Sequence, residues 1–145
     1  MNRVPLTYEK LDPSLPDLKY HSEGAAGFDL YAAEDFYIDG CSVKNVPTGV
    51  RFDIPEGFEL QIRLRSSFAS EGWVMPNAPG TVDCDYKGEI FIPVMGLTFG
   101  HSRALSNGDR IAQAILAPVT RAMLTEGVVE VDTERGEGGF GSTGV

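Results

Sequence analysis

Alternating apolar and polar residues give the clearest structural signal in this chain. Between Phe58 and Arg65 every second residue is apolar, and this period of two is typical of a β-strand that buries one face. Turn-forming residues at 55–57, 77–80 and 107–109 separate it from other apolar segments. Further strands are predicted at Phe28–Ala33, Val46–Ile54, Gly88–Met95, Arg110–Val119 and Val128–Asp132.

Many short strands separated by turns predict an all-β fold, a β-sandwich or jelly roll. Helical periodicity is weak, and a single short helix is predicted over Ser66–Glu71, with Ser66 or Ser67 as its N-cap. The segment Ile111–Pro118 is apolar on both faces. We therefore expect it to lie between layers of the fold or between subunits.

Length, charge and cysteine content exclude several classes of protein. A chain of 145 residues is the size of one domain. Its net charge of −9 argues against non-specific binding to nucleic acid, which needs clustered cations, but not against a small nucleotide. The two cysteines, Cys41 and Cys84, predict free thiols in a reducing compartment. With no apolar run of membrane-spanning length, we expect a soluble, intracellular and cytoplasmic protein.

The last eleven residues contain five glycines and cannot hold a packed structure alone. We therefore predict a β-domain over residues 1–134 and a flexible arm over 135–145. The arm has one arginine, one aromatic ring, two hydroxyl groups and many free amides, which suits a phosphorylated ligand with a flat base. A frayed terminus is the alternative. The arm is not a Walker P-loop, because it has no lysine and no helix follows it.

Five segments, taken together, resemble the motifs of the trimeric dUTPase family, in the same order and with similar spacing. They read AGFDLYAA at 26–33, RSSFA at 65–69, GTVDCDYKG at 80–88, GDRIAQ at 108–113 and RGEGGFGSTG at 135–144. The resemblance covers nearly the whole chain. It implies a distorted jelly roll of the β-clip type, a homotrimer with shared active sites, and Mg²⁺-dependent hydrolysis of dUTP to dUMP and pyrophosphate. Such an enzyme limits uracil in DNA and supplies dUMP for dTMP synthesis.

By this resemblance, Asp83 is the catalytic base that orients and deprotonates the attacking water. Tyr86 packs against the deoxyribose and leaves no space for a 2′-hydroxyl group. Asn77 reads the edge of uracil, since an amide both donates and accepts hydrogen bonds, and the backbone of Gly80 and Val82 completes the reading. Taken singly, these residues also suit ordinary turn or core positions.

The phosphate-binding residues implied by the resemblance lie in the remaining motifs. They are Arg65, Ser66, Ser67, Gln113, Arg135, Gly141, Ser142 and Thr143. Arg65 supports the site by pairing with an acid, for which Asp29 is the expected partner. Arg135 is the second catalytic residue and stabilises charge on the leaving pyrophosphate, and Phe140 stacks on uracil.

We expect no protein ligand to bind Mg²⁺ directly, because the chain has no cluster of metal-binding residues. The triphosphate and water would hold the ion, with Asp29 as an outer-sphere candidate. His21 and His101 are isolated in the sequence and are predicted to be surface or structural residues.

Two departures from the family pattern leave alternatives open. Ser67 replaces the usual glycine of the second motif, and the segment Val94–Gly96 replaces an Asn-x-Gly. Arg-Ser-Ser also occurs in the related dCTP deaminases, so a deaminase or a bifunctional enzyme is one alternative. A deaminase needs a glutamate at the position of Pro93, which argues against it. The other alternative is a nucleotide-binding regulator that contacts a protein partner.

Overall fold

The structure, a computed structural model, describes residues 3–142 and residue 144. Over this range the chain forms eleven strands and one helix, which confirms the predicted all-β class. The elements are β1 (Thr7–Lys10), β2 (Phe28–Tyr31), β3 (Phe36–Asp39), β4 (Lys44–Pro47), β5 (Val50–Asp53), β6 (Phe58–Leu64), α1 (Ser66–Ser70), β7 (Trp73–Val74), β8 (Gly80–Val82), β9 (Phe91–Gly96), β10 (Ser102–Leu105) and β11 (Arg110–Pro118).

The strands form two main sheets and two short ribbons, and every ladder is antiparallel. One sheet has the order β2-β11-β6-β8, and the other has the order β4-β9-β7. The pairs β1-β5 and β10-β3 form the ribbons. Residues from both main sheets meet in one buried core, as a sandwich requires.

Strand β6 shows the alternation that its sequence predicts. Leu60 and Ile62 are buried in the core, whereas Arg63 is exposed. The strand lies between β11 and β8 and pairs with both. Its position inside the sheet explains why it is the longest strand after β11, because both of its edges are satisfied by backbone hydrogen bonds.

Strand β11 is buried on both faces only in its first half. Ile111, Ala112 and Ala114 are buried, whereas the residues that follow are partly exposed. The strand lies between β2 and β6 in the sheet. The expectation that it is sandwiched within the fold is thus confirmed for the first half.

The segment Val46–Ile54 is two strands rather than the single strand predicted. Gly49 separates β4 from β5 and has a φ of +64°, a conformation that glycine adopts without the steric cost of a Cβ atom. The chain turns sharply at this residue. In the sequence, a glycine inside an apolar run is only a weak signal that a strand is interrupted. The strands that pair with β4 and β5 determine where the interruption falls.

The predicted strand Val128–Asp132 is wrong: these residues form no strand, and Val128, Val129 and the nearby Met123 and Leu124 are strongly exposed. No partner strand lies beside them within the described residues. The prediction also missed short strands, namely β1, β3, β7 and β10. Two to four residues carry too little alternation to be recognised.

The short helix forms as predicted, but its N-cap is different. Arg65, in extended conformation, is the N-cap of α1, and no side chain caps the helix. Ser66 and Ser67 therefore lie in the first turn of α1 rather than before it. In the described part of the chain no helix has the length and apolar character needed to cross a membrane.

We predict that Gly49→Ala destabilises the protein by about 2–5 kcal/mol, because the alanine is strained at positive φ and its Cβ overlaps Leu15 and lies 3.0 Å from Ala33 Cβ. The matched control is Gly57→Ala, which has a φ of +83° but open space around its Cβ. It should cost only the conformational term of about 1–2 kcal/mol. Urea denaturation measures both, and equal losses would contradict the packing argument.

Candidate active site

A cavity of about 220 Å³ lies beside β8, between β6 and β9. Among the residues that line it are several that the sequence singled out for recognition of a base and a sugar, namely Asn77, Gly80, Val82, Asp83 and Tyr86. Ile62 and Met75 form part of its apolar wall. The fold thus brings together residues that the sequence only places in one region.

Strand β8 positions the cavity because it is short and lies at the edge of its sheet. Gly80 pairs with Ile62 and Val82 with Leu60, both on β6. Gly80 and Val82 are buried, and Thr81 between them is exposed. One edge of β8 is used by β6, so the backbone groups of its other edge are free to read a ligand.

Two of the polar side chains at the cavity, Asn77 and Asp83, are exposed. Within the described residues neither side chain makes a hydrogen bond or an ion pair; the nearby Lys87 instead pairs with Asp53 at 2.6 Å. An unpaired carboxylate accepts protons and hydrogen bonds from a bound water. Asp83 is therefore free to act as a base.

The ring of Tyr86 is held at the cavity by its hydroxyl group, which donates a 2.8 Å hydrogen bond to the carbonyl oxygen of Glu89. The Tyr86 amide donates to the Asp83 carbonyl at 3.1 Å and closes a turn. The ring lies over Gly88, where an added Cβ would be 2.5 Å from Tyr86 Oη. The backbone of this turn therefore sets the position of the ring.

A second polar cluster surrounds Asp29 on β2, whose side chain is 13% exposed. Arg65 Nε lies 3.5 Å from Asp29 Oδ1, which is the pairing that the sequence predicts. Arg110 Nη1 at 3.3 Å and His21 Nε2 at 3.2 Å contact Asp29 Oδ2. His21 is therefore not isolated, and sequence reasoning missed it because a loop brings it to the strand. Burial, with a smaller effect of Asp29, raises the pKa of the neighbouring Tyr31.

The phosphate-binding candidates that precede the tail lie near this second cluster rather than at the cavity. Ser66 and Ser67 are exposed at the start of α1. Gln113 on β11 pairs with Asp29 on β2, and its Oε1 lies against the backbone of Gly27. Neither Arg65, Ser66, Ser67 nor Gln113 lines the cavity. In one copy of the chain, the predicted site is therefore divided into two clusters.

The glycine-rich tail folds into turns of its own. Arg135 Nε donates to the Gly138 carbonyl at 2.9 Å, and the Ser142 amide donates to the Gly139 carbonyl at 3.0 Å. Phe140 is fully exposed, and Gly141 has a φ of +88°. In the described part of the tail, hydrogen bonds run only within it or to Thr133. Thr143, also predicted to bind phosphate, lies outside the described residues.

His101, predicted to be isolated, stacks on Trp73 with ring centroids 4.2 Å apart. The two rings pack against Gly96. A Cβ added at Gly96 would lie 3.2 Å from Trp73 Cζ3 and 3.2 Å from His101 Nδ1. Glycine at this position, which is also the glycine of the family's Asn-x-Gly, follows from this packing.

The fold and the site define an all-β protein in which a short edge strand and the turn that follows it form a ligand-sized cavity. A family model described as dUTPase matches residues 14–144. A deoxyuridine 5′-triphosphate nucleotidohydrolase of Zymomonas mobilis is 47% identical over 133 residues, which is 91% of this chain and 90% of the relative. The chain belongs to the dUTPase family.

Solved structures agree with the fold. A dUTPase of Staphylococcus bacteriophage 80alpha, solved with dUPNHPP, is 25% identical, has a TM-score of 0.83, and covers 97% of this chain and 99% of its own. A dUTPase of Streptococcus mutans is 30% identical, with a TM-score of 0.69 over 83% of this chain and 98% of its own. The predicted dUTPase-like jelly roll is confirmed.

Proposed function

We propose that this protein hydrolyses dUTP to dUMP and pyrophosphate in the cytoplasm, which limits uracil in DNA and supplies dUMP. The observation that carries the proposal is the cavity beside β8, which gathers Asn77, Asp83 and Tyr86 at one place. Relatives named deoxyuridine 5′-triphosphate nucleotidohydrolase are 42–47% identical over most of the chain. They support the same substrate.

The size of the cavity supports binding of the nucleoside part of the substrate. Its 220 Å³ is below the roughly 300–1,000 Å³ of a complete small-molecule pocket. The base would enter against β8, where backbone groups of Gly80 and Val82 and the amide of Asn77 read its edge. The ring of Tyr86 would cover the deoxyribose. The triphosphate would then extend out of the cavity.

Asp83 would act as the base for the chemical step. Its free carboxylate would orient a water molecule in line with the α-phosphorus and take its proton. The water oxygen would bond to the α-phosphorus while the bond from that phosphorus to the bridging oxygen breaks. The bond electrons would leave with pyrophosphate, and Arg135 would stabilise the charge that develops there.

The division of the predicted site into two clusters supports a homotrimer with shared sites. One copy would provide the cavity, a neighbour would provide Ser66, Ser67 and Gln113 for the phosphates, and the third would provide its tail. Arg65, held by Asp29, would support the phosphate side. The exposed apolar residues between 119 and 131 support burial of this segment against another copy, because large exposed apolar surfaces mark interfaces.

The tail, residues 135–145, would close over the bound nucleotide as an arm attached to the β-domain of residues 1–134. Its hydrogen bonds leave Phe140 free to stack on uracil, and its turns expose several amides. Gly141, Ser142 and Thr143 would contact the terminal phosphate. Such a closure would exclude water and complete the site.

Mg²⁺ fits this site as an ion held by the substrate phosphates and water. In the described residues no group of three or more histidine, cysteine, aspartate or glutamate side chains is placed to hold a metal. When bound, the ion would neutralise charge on the triphosphate. The contacts of Asp29 with Arg65, Arg110 and His21 favour a role in holding Arg65 over an outer-sphere role.

The cavity also supports hydrolysis over deamination. Pro93 on β9 lines its wall, at the position where the related deaminases carry a proton-shuttling glutamate. A proline side chain has no ionisable group and cannot move a proton. Cytosine bound in this cavity would find no proton-shuttling carboxylate at that position, which loss of ammonia requires.

With Mg²⁺, the purified protein should release pyrophosphate from dUTP about 100-fold faster, in kcat/KM, than from UTP, since a closed apolar contact rejects an added hydroxyl by about this factor. The reactions of dCTP and dTTP should also be slow. Pyrophosphate release, measured for all four nucleotides, tests this. Comparable turnover of UTP would contradict the role of Tyr86, and ammonia released from dCTP would favour the deaminase.

The variant Asp83→Asn tests the role of Asp83 as the catalytic base. It should retain nucleotide binding, yet lose about 10²–10⁴-fold in kcat, because loss of a positioned base costs this much. Asp85→Asn is the matched variant: Asp85 is exposed, two residues away, and does not line the cavity. Full activity of Asp83→Asn, or an equal loss of kcat in both variants, would contradict the role of Asp83 as the base.

Deletion of residues 135–145 should lower kcat/KM for dUTP by about 100-fold or more, as expected when charge-stabilising contacts are lost. The melting temperature should not change, because the described tail makes no hydrogen bond to the strands. Pyrophosphate release and thermal denaturation measure the two effects. An unchanged rate would contradict the proposal that the tail closes over the nucleotide. A large fall in melting temperature would show that the tail belongs to the packed domain.

A further inference from the structure

Glu89 lies between two cavities and contacts both of them. It lines the cavity beside β8 and a second cavity of about 430 Å³, which Leu15, Phe36 and Gly49 also line. The residue is half-buried. Its carbonyl oxygen accepts the hydrogen bond of the Tyr86 hydroxyl group, and its carboxylate points to the other side. Glu89 thus connects the tyrosine at the cavity with a distant part of the fold.

The carboxylate of Glu89 is anchored to the corner between β4 and β5. Its Oε1 accepts a 2.8 Å hydrogen bond from the Gly49 amide, a residue 40 positions away in sequence. Among the described residues this is the only acceptor of that amide. Because an amide left without a partner in a partly buried position costs free energy, the contact holds the carboxylate in one place.

The corner between β4 and β5 also holds Ile90, the residue that follows Glu89. The Thr48 amide and hydroxyl group donate to the Ile90 carbonyl at 3.1 and 2.6 Å, and the Ile90 amide donates to the Val50 carbonyl at 2.9 Å. Thr48 is fully buried, so water does not compete for these bonds. Ile90 is thereby held through its backbone and its buried side chain, whereas Glu89 is held by its side chain and by the peptide that it shares with Ile90.

We propose that Glu89 is a positioning residue that sets the place of Tyr86 and so determines selection of deoxyribose over ribose. This inference rests on the proposed hydrolysis of dUTP. The Tyr86 ring is 46% exposed, so packing on one side does not fix it. The far end of the ring is held by the hydrogen bond to Glu89. A small shift of that carbonyl opens the space that a 2′-hydroxyl group needs.

Loss of the carboxylate should affect selectivity rather than folding. In Glu89→Ala the hydrogen bonds of Thr48 and Val50 with Ile90 remain, so the corner still packs. The peptide that carries the Glu89 carbonyl keeps only the bond of its Ile90 amide to Val50, so it can tilt about that bond and Tyr86 moves with it. The ratio of kcat/KM for dUTP to that for UTP reports this movement, and the ratio is independent of the fraction of protein that is folded.

Glu89→Ala should lower the ratio of kcat/KM for dUTP over UTP by about tenfold, mainly through a lower KM for UTP, since the contact being loosened excludes only one hydroxyl. Glu89→Gln keeps a side-chain oxygen that can accept from Gly49 and should return the ratio to within about threefold of the wild type. The matched control is Glu34→Ala. Glu34 lines the second cavity and is exposed. Among the described residues its side chain makes no ion pair and no hydrogen bond.

A double-mutant cycle tests the connection to Tyr86. Tyr86→Phe removes the hydroxyl group that Glu89 positions, so the effects of Glu89→Ala and Tyr86→Phe on the ratio should not add. Additive effects would overturn the proposal. So would an unchanged ratio in Glu89→Ala, a fall in kcat with the ratio intact, or equal losses in Glu89→Ala and Glu34→Ala.

The outcomes separate this inference from the proposed function. A wild-type protein that does not prefer dUTP over UTP refutes the proposed function, whatever the variants do. A wild-type protein that prefers dUTP, with a ratio that Glu89→Ala leaves intact, refutes only the role of Glu89. Loss of activity in Glu89→Gln as in Glu89→Ala would show that the hydrogen bond to Gly49 does not carry the effect.

Discussion

The antiparallel pairing of β6 with both of its neighbours is the interaction on which the rest of the structure depends. On one edge, Leu60 and Ile62 pair with β8 and place the wall of the cavity. On the other edge, Arg63 pairs with Gln113 of β11, which in turn pairs with Asp29 of β2. The apolar face of the same strand enters the core. The residues of the cavity and those of the cluster around Asp29 are thus held on opposite edges of one strand.

This arrangement also explains why a single chain holds its predicted site in two parts. The cavity and the cluster around Asp29 lie on opposite edges of β6, so no local movement joins them. A short strand at the edge of a sheet leaves backbone groups free for a ligand, and an exposed α1 leaves Ser66 and Ser67 free for an anion. Each part is accessible to a neighbouring copy, which is the arrangement that shared sites require.

The sequence predicts those features of the fold that depend on nearby residues. The alternation of β6 and the short helix α1 are local properties and were predicted within one residue at each end. The break at Gly49 and the absence of a strand at Val128–Asp132 were not, because both depend on whether a segment distant in sequence lies beside them as a partner strand. Whether a segment forms a strand depends on its pairing partners as much as on its own pattern of apolar and polar residues.

The same limit holds for the site. Asn77, Asp83 and Tyr86 lie close together in the sequence. Because they belong to one short segment, they line the same cavity. The contact of Glu89 with Gly49 and that of His21 with Asp29 join distant loops, and no spacing in the sequence indicates them. The packing of Trp73 and His101 against Gly96 likewise joins residues that are distant in sequence.

The central claim is that the cavity beside β8 holds uracil and deoxyribose while a second copy of the chain holds the phosphates. A crystal structure with Mg²⁺ and a non-hydrolysable dUTP analogue tests it most directly. The account predicts uracil against Asn77 and β8, the sugar on Tyr86, and the phosphates at Ser66 and Gln113 of a different copy. An analogue bound away from this cavity, or held entirely by one copy, would contradict it.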